Sequence, residues 1–355
     1  MSEEDLSQLR VGGYEFVPAR SIPDDALVKF AAAAWPERPP YERVLANWWR
    51  RADPSCAVAA VHAASGAMAA LCAARPSQWI IGGVPVTGRA ICEWYVTPDH
   101  AGKGIGKRLV QHFTRPDRFL YAFAMSEAAA VNFSKLGWKG PDVSTLLALP
   151  FPRFSRLPLA LLPRPGTLAL EEHVIDPRCG IGAVAADFDR IEANRATAFA
   201  RMRRDAKEWA WRLTVSGERK YHVCVARRDG APIGYAVVRR MTPGASRLLG
   251  RREGAMITDL VAANDQPTVL RALARRAVAI AAEWGVVVLL MATTLPTHRR
   301  ALTANGFLSS GWPVLSRVLG RAAPIFMWSP AGPGALLSAQ YLALTFADSD
   351  VDLNL

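Results

Sequence analysis

Apolar runs and polar turns alternate along the first half of the chain as they do in an α/β unit. Apolar runs at residues 56–61 and 67–73 flank a turn at Ser65-Gly66, and this pattern predicts a β-hairpin. A further apolar run predicts a strand at 91–96. The apolar positions then follow helical spacing, which predicts a helix over 105–113.

The order of elements continues and is then repeated in the second half. A strand at 119–125 and a short helix ending at Gly137-Trp138 complete the first unit. The second half repeats the hairpin, strand, helix, strand and short helix, at 222–226 with 233–238, 256–261, 269–284, 286–291 and up to 307. Because one order of elements occurs twice, we predict an α/β (α+β) fold of two tandem units, each a mixed twisted sheet flanked by helices.

The stretch between the two halves differs in composition from both. Residues 150–165 contain five prolines, which preclude a regular helix and indicate a linker. We therefore predict a first domain at 1–149, a second at 166–330 and a C-terminal tail at 331–355.

Composition excludes several classes of protein. The 355 residues are 51% hydrophobic and 21% charged, which is typical of a globular chain. No uninterrupted apolar run reaches the length of a membrane span, and the acidic N-terminus is unlike a signal peptide. The five cysteines are odd in number and show no metal-ligand spacing. We expect a cytoplasmic protein without a metal ion.

The net charge of +12 raises the question of an anionic partner. The basic excess is shared by both halves and forms neither a basic tail nor a basic helix with interleaved aromatic residues. This distribution argues against nucleic acid. It suits a small anionic ligand such as coenzyme A.

The segment that carries chemistry joins the strand at 91–96 to the helix at 105–113. Three glycines alternate with other residues in it: Gly102, Gly104 and Gly106. Such a segment lets consecutive backbone N–H groups turn inward and bind an anion, with help from the helix N-terminus. A Walker loop would need glycine at Ala101, and a dinucleotide fingerprint would need glycine at Lys107, so neither motif is present.

This segment resembles the pyrophosphate loop of the Gcn5-related N-acetyltransferase (GNAT) superfamily, whose pattern is Arg/Gln-x-x-Gly-x-Gly/Ala. Gly104 and Gly106 match its glycines, whereas Ala101 stands in the usual Arg/Gln place with its backbone N–H expected to donate. The order of elements matches too, and residues 135–138 resemble the superfamily's Lys-Leu-Gly-aromatic ending. The resemblance implies that acetyl-CoA, as co-substrate, is bound by Val96, Ala101, Gly102, Lys103, Gly104, Ile105, Gly106 and Lys107.

Most of the chain also resembles a narrower group, the tandem members of this superfamily associated with bacterial exopolysaccharide biosynthesis. The residues that carry this resemblance are 48–50 (Trp-Trp-Arg), 204–206 with 211–212, 258–260 and 347–350. It implies a bacterial N-acetyltransferase that acts on a primary amine of a small molecule, such as an amino sugar.

In this superfamily an amine attacks the thioester carbonyl directly, so a general base and an oxyanion donor are needed. Glu93 is the candidate base because it is a lone carboxylate in an apolar strand. The alternative interpretation of Glu93 is a structural carboxylate that pairs with an arginine. The resemblance implies that the backbone N–H near Val96 polarises the thioester carbonyl.

The group that protonates the leaving thiolate is less defined. Many relatives carry tyrosine two residues before Lys135, where this chain has Phe133. Tyr95 is our candidate, with Tyr121 and water as alternatives, and a thiolate can also leave unprotonated. Cys92 could carry an acyl intermediate, but a small buried cysteine of the core is the simpler interpretation of this residue.

The second unit lacks the glycine loop. Residues 262–267 contain no glycine, which precludes a close backbone approach to phosphate, and Leu302 stands at the tyrosine place. We predict a scaffold that closes the acceptor pocket of the first unit. Four arginines either contact an anionic acceptor or are solvated: Arg203, Arg204, Arg239 and Arg240.

Two other functions remain open from the sequence. The chain could be a non-catalytic acyl-CoA-binding or regulatory protein, consistent with Ala101 and Phe133. It could also transfer amino acids from aminoacyl-tRNA, as some tandem relatives do, although the retained loop has no evident role there. The oligomeric state is not predicted.

Overall fold

The computed structural model describes most of the chain. The described residues are 6, 11–36, 56–114, 117–140, 145–151, 168–195, 200–215, 220–241, 252–309, 325–331 and 342–345. The 48–50 segment, the linker residues from 152 to 165 and the tail residues from 346 onward lie outside them.

The first compact unit comprises Met1–Gln78, Val86–Lys139 and Met327–Leu336. Its elements are β1 (Tyr14–Pro18), α1 (Asp24–Ala34), β2 (Ala57–His62), β3 (Met68–Ile81), β4 (Val84–Val96), α2 (Ile105–Phe113), β5 (Phe119–Met125) and α3 (Glu127–Lys135). The strand order is β1-β2-β3-β4-β5, followed by β14 (Ile325–Trp328), and β4 runs parallel to β5.

The elements predicted between residues 56 and 138 are confirmed, with two extensions: β3 continues to Ile81, beyond the predicted end at 73, and β4 begins early. Helix α2 buries its apolar stripe, which includes Leu109 and Phe113. Strand β4 begins seven residues earlier than predicted, at Val84, because a two-residue turn at Gly82 and Gly83 joins it to β3. Both glycines have positive φ angles, of 59° and 81°, as a tight hairpin requires. Strand β1 and helix α1 were not predicted.

The second compact unit comprises Trp79–Pro85, Gly140–Phe326 and Leu337–Leu355. Its strands are β6 (Thr145–Pro150), β7 (Ala169–Ile175), β8 (Ala200–Met202), β9 (Tyr221–Arg228), β10 (Ala231–Arg240), β11 (Ala255–Ala262), β12 (Val288–Thr293), β13 (Leu308–Ser309) and β15 (Leu342–Ala343). Its helices are α4 (Ala185–Ala193), α5 (Ala206–Val215), α6 (Pro267–Glu283) and α7 (Pro296–Thr303). The main sheet has the order β13-β6-β12-β11-β10-β9-β7.

Helix α6 covers the core of the second unit, as its apolar spacing predicted. Leu270, Leu273 and Ala277 are fully buried on its inner face. The helix comes so close to β10 that a Cβ on Gly234 would lie 2.9 Å from a side-chain methyl carbon of Val269. Only glycine fits at that contact. Each unit is thus a mixed sheet with helices, which confirms the predicted fold class.

The two units are interleaved along the chain, unlike the continuous ranges 1–149 and 166–330 expected from the sequence. Strand β6 follows α3 in sequence but pairs with β12 in the second sheet, from Thr145 to Pro150. Conversely, Trp328 of β14 belongs to the first unit, where its N–H donates to the carbonyl of Lys139 at 2.7 Å. Such pairings join residues far apart in sequence, so the local pattern does not encode them.

Candidate functional site

The parallel strands β4 and β5 separate towards their carboxyl ends. Their ladder joins residues 88–90 to 119–121, and β4 continues beyond it to Val96. The next residue, Thr97, stays attached to β3, because its N–H donates to the carbonyl of Ala69 at 2.9 Å. Successive N–H groups of an extended strand point to opposite edges, so the N–H of Val96 points towards the split. An oxyanion donor at Val96 requires this orientation.

The loop after β4 turns through two left-handed glycines. Gly102 and Gly104 each have a φ of 78°, and a Cβ on either would meet no atom within 4 Å. Gly104 is also the last residue before α2, and its carbonyl accepts a hydrogen bond from the N–H of Arg108 at 3.1 Å. No described residue therefore fills the space in front of either glycine.

The loop presents a row of backbone donors. No described residue accepts a hydrogen bond from the six successive N–H groups of Gly102, Lys103, Gly104, Ile105, Gly106 and Lys107. The first N–H groups of a helix lack intrahelical partners and carry the positive end of the helix dipole. A row of such donors around left-handed residues forms a nest that fits phosphate oxygens.

Ala101 and Gly106 differ from the rest of the predicted loop. The N–H of Ala101 donates to the carbonyl of Pro98 at 3.1 Å, whereas from the sequence we expected it to donate to phosphate. Gly106 lets α2 approach β4 closely, since a Cβ there would lie 3.1 Å from both Trp94 Nε1 and Val96 Cγ2. Trp94 Nε1 also donates to the carbonyl of Gly106 at 3.1 Å, which fixes the helix against the strand.

A cavity of about 400 Å³ opens beside the loop. Its lining residues are Val11, Gly104, Lys107, Arg108 and Gln111. All but Val11 fall on one face of the helix N-terminus, and two carry positive charge. The volume lies within the range of small-molecule sites, and the charge suits an anion.

Glu93 has an unusual backbone conformation. Its φ is 51°, and no other described non-glycine residue inside a β-strand has a positive φ. This conformation costs about 1–3 kcal/mol and is found most often at functional sites. The side chain is only 9% exposed. Burial and, second, the charge of Glu93 raise the pKa of the Cys72 thiol on β3.

Tyr95 belongs to an aromatic group that includes residues from α1 and its C-terminal end. Its ring centroid lies 5.9 Å from that of Phe30 and 5.8 Å from that of Trp35. Tyr95 and Trp35 are half-buried, whereas Phe30 is buried. The hydroxyl-bearing ring therefore lies at the margin of the core, two residues from Glu93 along β4.

Three other residues considered for the chemistry fit the site less well than Tyr95. Tyr121 is fully buried and stacks on Phe119, with ring centroids 5.4 Å apart. Phe133 is buried and carries no proton to give. The thiol of Cys92 donates to the carbonyl of Ala73 at 3.6 Å, which is typical of a small core cysteine.

The corresponding junction of the second unit presents fewer donors. Asn264 has a φ of 52°, and its N–H donates to the carbonyl of Asn194 at 3.3 Å. Helix α6 begins with Pro267, which has no N–H. The described junction thus lacks a row of free donors like that of the first unit.

A buried ionic network lies on β11 of the second unit. Asp259 is 2% exposed and accepts hydrogen bonds from Arg204, Tyr235 and Thr345, at 3.1, 2.9 and 2.8 Å. Burial acts to raise the pKa of Asp259, but the charges of Arg204 and Arg195 and these hydrogen bonds lower it below its usual value. Asp259 is therefore ionised at neutral pH.

Two of the four arginines considered from the sequence are core residues, so a solvated role is wrong for Arg204 and Arg239. Arg204 pairs with Asp259, and the fully buried Arg239 donates to the carbonyl of Arg240 at 2.9 Å. Arg203 and Arg240 remain about half exposed and pair with acidic side chains at 2.7 Å.

Strands β11 and β12 also separate, after a parallel ladder of two residue pairs. In this unit, however, the buried segment 342–345 lies at the split. Thr345 forms a β-bridge with Thr293 of β12, and its hydroxyl donates to Asp259 of β11. In the second unit the chain itself therefore occupies the split between the two parallel strands.

Three aromatic residues around the glycine loop were not predicted from the sequence. Tyr14 of β1 lies next to His62 of β2 and His100 of the loop, with ring centroids 5.2 and 5.4 Å away. No sequence signal marks this cluster, because its members come from three segments.

From the sequence we expected neither a metal ion nor a membrane span, and the structure bears on both only within the part of the chain that it describes. No group of three or more His, Cys, Asp or Glu side chains there could hold a metal ion. Within the same residues, no helix has the length and apolarity needed to cross a bilayer.

Comparison with known proteins identifies the family of the first unit. The sequence profile of the Acetyltransferase (GNAT) family matches residues 21–138, which include α1, the glycine loop and α3. A search of curated proteins finds no match.

Solved structures extend the similarity to both units. A probable N-acyltransferase from Enterococcus faecalis V583 is 12% identical with a TM-score of 0.59, covering 91% of this chain and 73% of that chain. A tandem GNAT protein from the clavulanic acid biosynthesis pathway is 18% identical with a TM-score of 0.54, covering 90% and 99%. N-myristoyltransferase of Saccharomyces cerevisiae, with bound myristoyl-CoA, is 9% identical with a TM-score of 0.55, covering 92% and 85%. At such identities the similarity is one of fold. The chain therefore has the tandem GNAT fold, and its residues 21–138 belong to the acetyltransferase (GNAT) family.

Proposed function

We propose that this protein transfers an acetyl group from acetyl-CoA to a primary amine of a small molecule, and that the first unit holds the coenzyme. The observation that carries the proposal is the row of six backbone donors from Gly102 to Lys107, which no described residue engages. The diphosphate of coenzyme A is the group that such a nest fits. The bound myristoyl-CoA of the yeast neighbour supports an acyl-CoA donor.

The proposed reaction is direct attack of the amine nitrogen on the thioester carbonyl carbon. The N–H of Val96 points into the split between β4 and β5 and would stabilise the negative oxygen as the C–N bond forms. Glu93, three residues earlier, would accept the proton that the nitrogen loses. The C–S bond then breaks, and the hydroxyl of Tyr95 or water would protonate the sulfur.

The proposed acceptor is an amine carried on a small ring, such as an amino sugar. Its basis is the resemblance to tandem proteins associated with exopolysaccharide biosynthesis. The half-buried rings of Trp35 and Tyr95 add support, since they offer apolar faces near the strand that carries Glu93.

Thiol release from acetyl-CoA tests the proposal. The purified chain should release free thiol only when an accepting amine is present, and mass spectrometry should find the acetyl group on that amine. A panel of amino sugars, polyamines and amino acids would identify the acceptor class. Binding of coenzyme A without amine-dependent release would favour a non-catalytic acyl-CoA-binding protein.

A further inference from the structure

We infer that the hydroxyl group of Tyr14 positions the coenzyme-binding loop, an inference that rests on the proposed function. Tyr14 lies in β1, outside the loop and outside the residues that the sequence motif marks. It is a positioning residue, because it acts on the coenzyme through Lys103 and His100.

The hydroxyl of Tyr14 joins two loop residues. It lies 2.7 Å from Nδ1 of His100, and it accepts a hydrogen bond from Nζ of Lys103 at 3.1 Å. The Lys103 ammonium also lies 5.8 Å from the centroid of the Tyr14 ring. One buried oxygen thus fixes the residue before the first loop turn and the residue between the two left-handed glycines.

The ring of Tyr14 is held by the sheet as well as by the loop. It is 3% exposed and lies opposite His62 in the antiparallel β1–β2 ladder. Three rings form a triangle, since the centroid of His62 lies 5.2 Å from that of Tyr14 and 5.6 Å from that of His100. The hydroxyl is therefore a fixed point to which the glycine loop can attach.

The attachment bears on coenzyme binding because of where Lys103 lies. Gly102 and Gly104 flank it, and glycine gives a loop more backbone freedom than any other residue. Ordering a free loop on binding costs conformational entropy at every residue that becomes fixed. A side chain already fixed at Lys103 holds the adjoining N–H groups in place before the phosphates arrive. Val11, whose carbonyl accepts a hydrogen bond from the N–H of Tyr14 at 2.9 Å, also lines the cavity beside the loop.

Tyr14→Phe in the full chain removes the hydroxyl and keeps the ring. The dissociation constant of coenzyme A, measured by isothermal titration, should rise about tenfold, as expected for the loss of a preorganising hydrogen bond. The KM for acetyl-CoA should rise by the same factor while kcat stays unchanged. The melting temperature should fall only slightly, because the ring still fills the core.

Two further variants separate positioning from general damage. Ser65→Ala is the matched control, because it removes a hydroxyl that lies 2.9 Å from His62 and touches neither His100 nor Lys103; its affinity for coenzyme A should equal that of the unaltered chain. Lys103→Met should weaken binding, and Tyr14→Phe should add little to it, because both changes break one link.

Equal affinity of the unaltered chain and Tyr14→Phe would overturn the inference, and so would full additivity of Tyr14→Phe with Lys103→Met. A large loss of melting temperature with unchanged KM would also overturn it in favour of a structural role. Absence of coenzyme A binding by the unaltered chain is a different result, because it would overturn the proposed function as well.

Discussion

Replacing Gly104 by glutamate tests the candidate coenzyme site most directly. Gly104 has a φ of 78°, so a side chain there carries a strain of about 1–2 kcal/mol. The new carboxylate would project into the open space where phosphate oxygens would accept hydrogen bonds. Hydrogen bonds to charged groups contribute about 1.5–3 kcal/mol each, so losing two of them costs about 3–6 kcal/mol. We expect coenzyme A to bind at least about 100-fold more weakly.

Gly83→Glu is the matched control for strain and charge. Gly83 has a φ of 81°, and a Cβ there would also meet no atom within 4 Å. It lies in the turn before β4, whereas the loop follows the other end of that strand. Both variants should lower the melting temperature similarly, and only Gly104→Glu should lose coenzyme in isothermal titration. Unchanged affinity in folded Gly104→Glu, or the same loss in Gly83→Glu, would refute the reasoning.

The remaining predictions concern Glu93, the number of coenzyme sites and Asp259. Glu93→Gln should lower turnover by about 10²–10⁴-fold without changing coenzyme affinity, and the loss should shrink as pH rises because amine substrates then lose their proton in solution; full activity in the folded variant would point to attack by an already neutral amine. Titration should give one coenzyme per chain, because residues 342–345 lie in the split of the second sheet, and a stoichiometry of two would contradict this. Asp259→Asn should lower the free energy of unfolding by about 3–5 kcal/mol in denaturant titration, because Arg204 loses its buried charged partner. Since folding lowers the pKa of Asp259, its contribution to the free energy of unfolding of the unaltered chain should be complete above about pH 4 and be lost as pH falls below that. A loss of less than about 1 kcal/mol in Asp259→Asn, or a loss that does not depend on pH, would contradict the role of Asp259 in the buried ionic network.

The sequence alone predicted the elements whose signals are local. The hairpin turn at Ser65-Gly66 and the apolar stripe of α2 are each encoded within one short window, and the structure places both where the pattern indicated. The loop was predictable for the same reason. Glycine is the residue that readily adopts a φ of 78°, so Gly102 and Gly104 reveal a backbone shape before any tertiary contact is known.

Tertiary structure decided which separate segments meet. The sequence of strand β6 is that of an ordinary apolar strand and does not indicate its partner. Only its pairing with β12 assigns it to the second unit. Arg204 and Asp259 lie in segments that the sequence singled out, but only the fold shows that they pair in a buried network and are core residues. Tyr14 lies in a strand that was not predicted. Its hydroxyl accepts a hydrogen bond from Lys103 only because the fold brings β1 beside the loop. Backbone conformation and periodicity depend on neighbours in sequence, whereas strand pairing and buried charge depend on residues brought together by the whole fold.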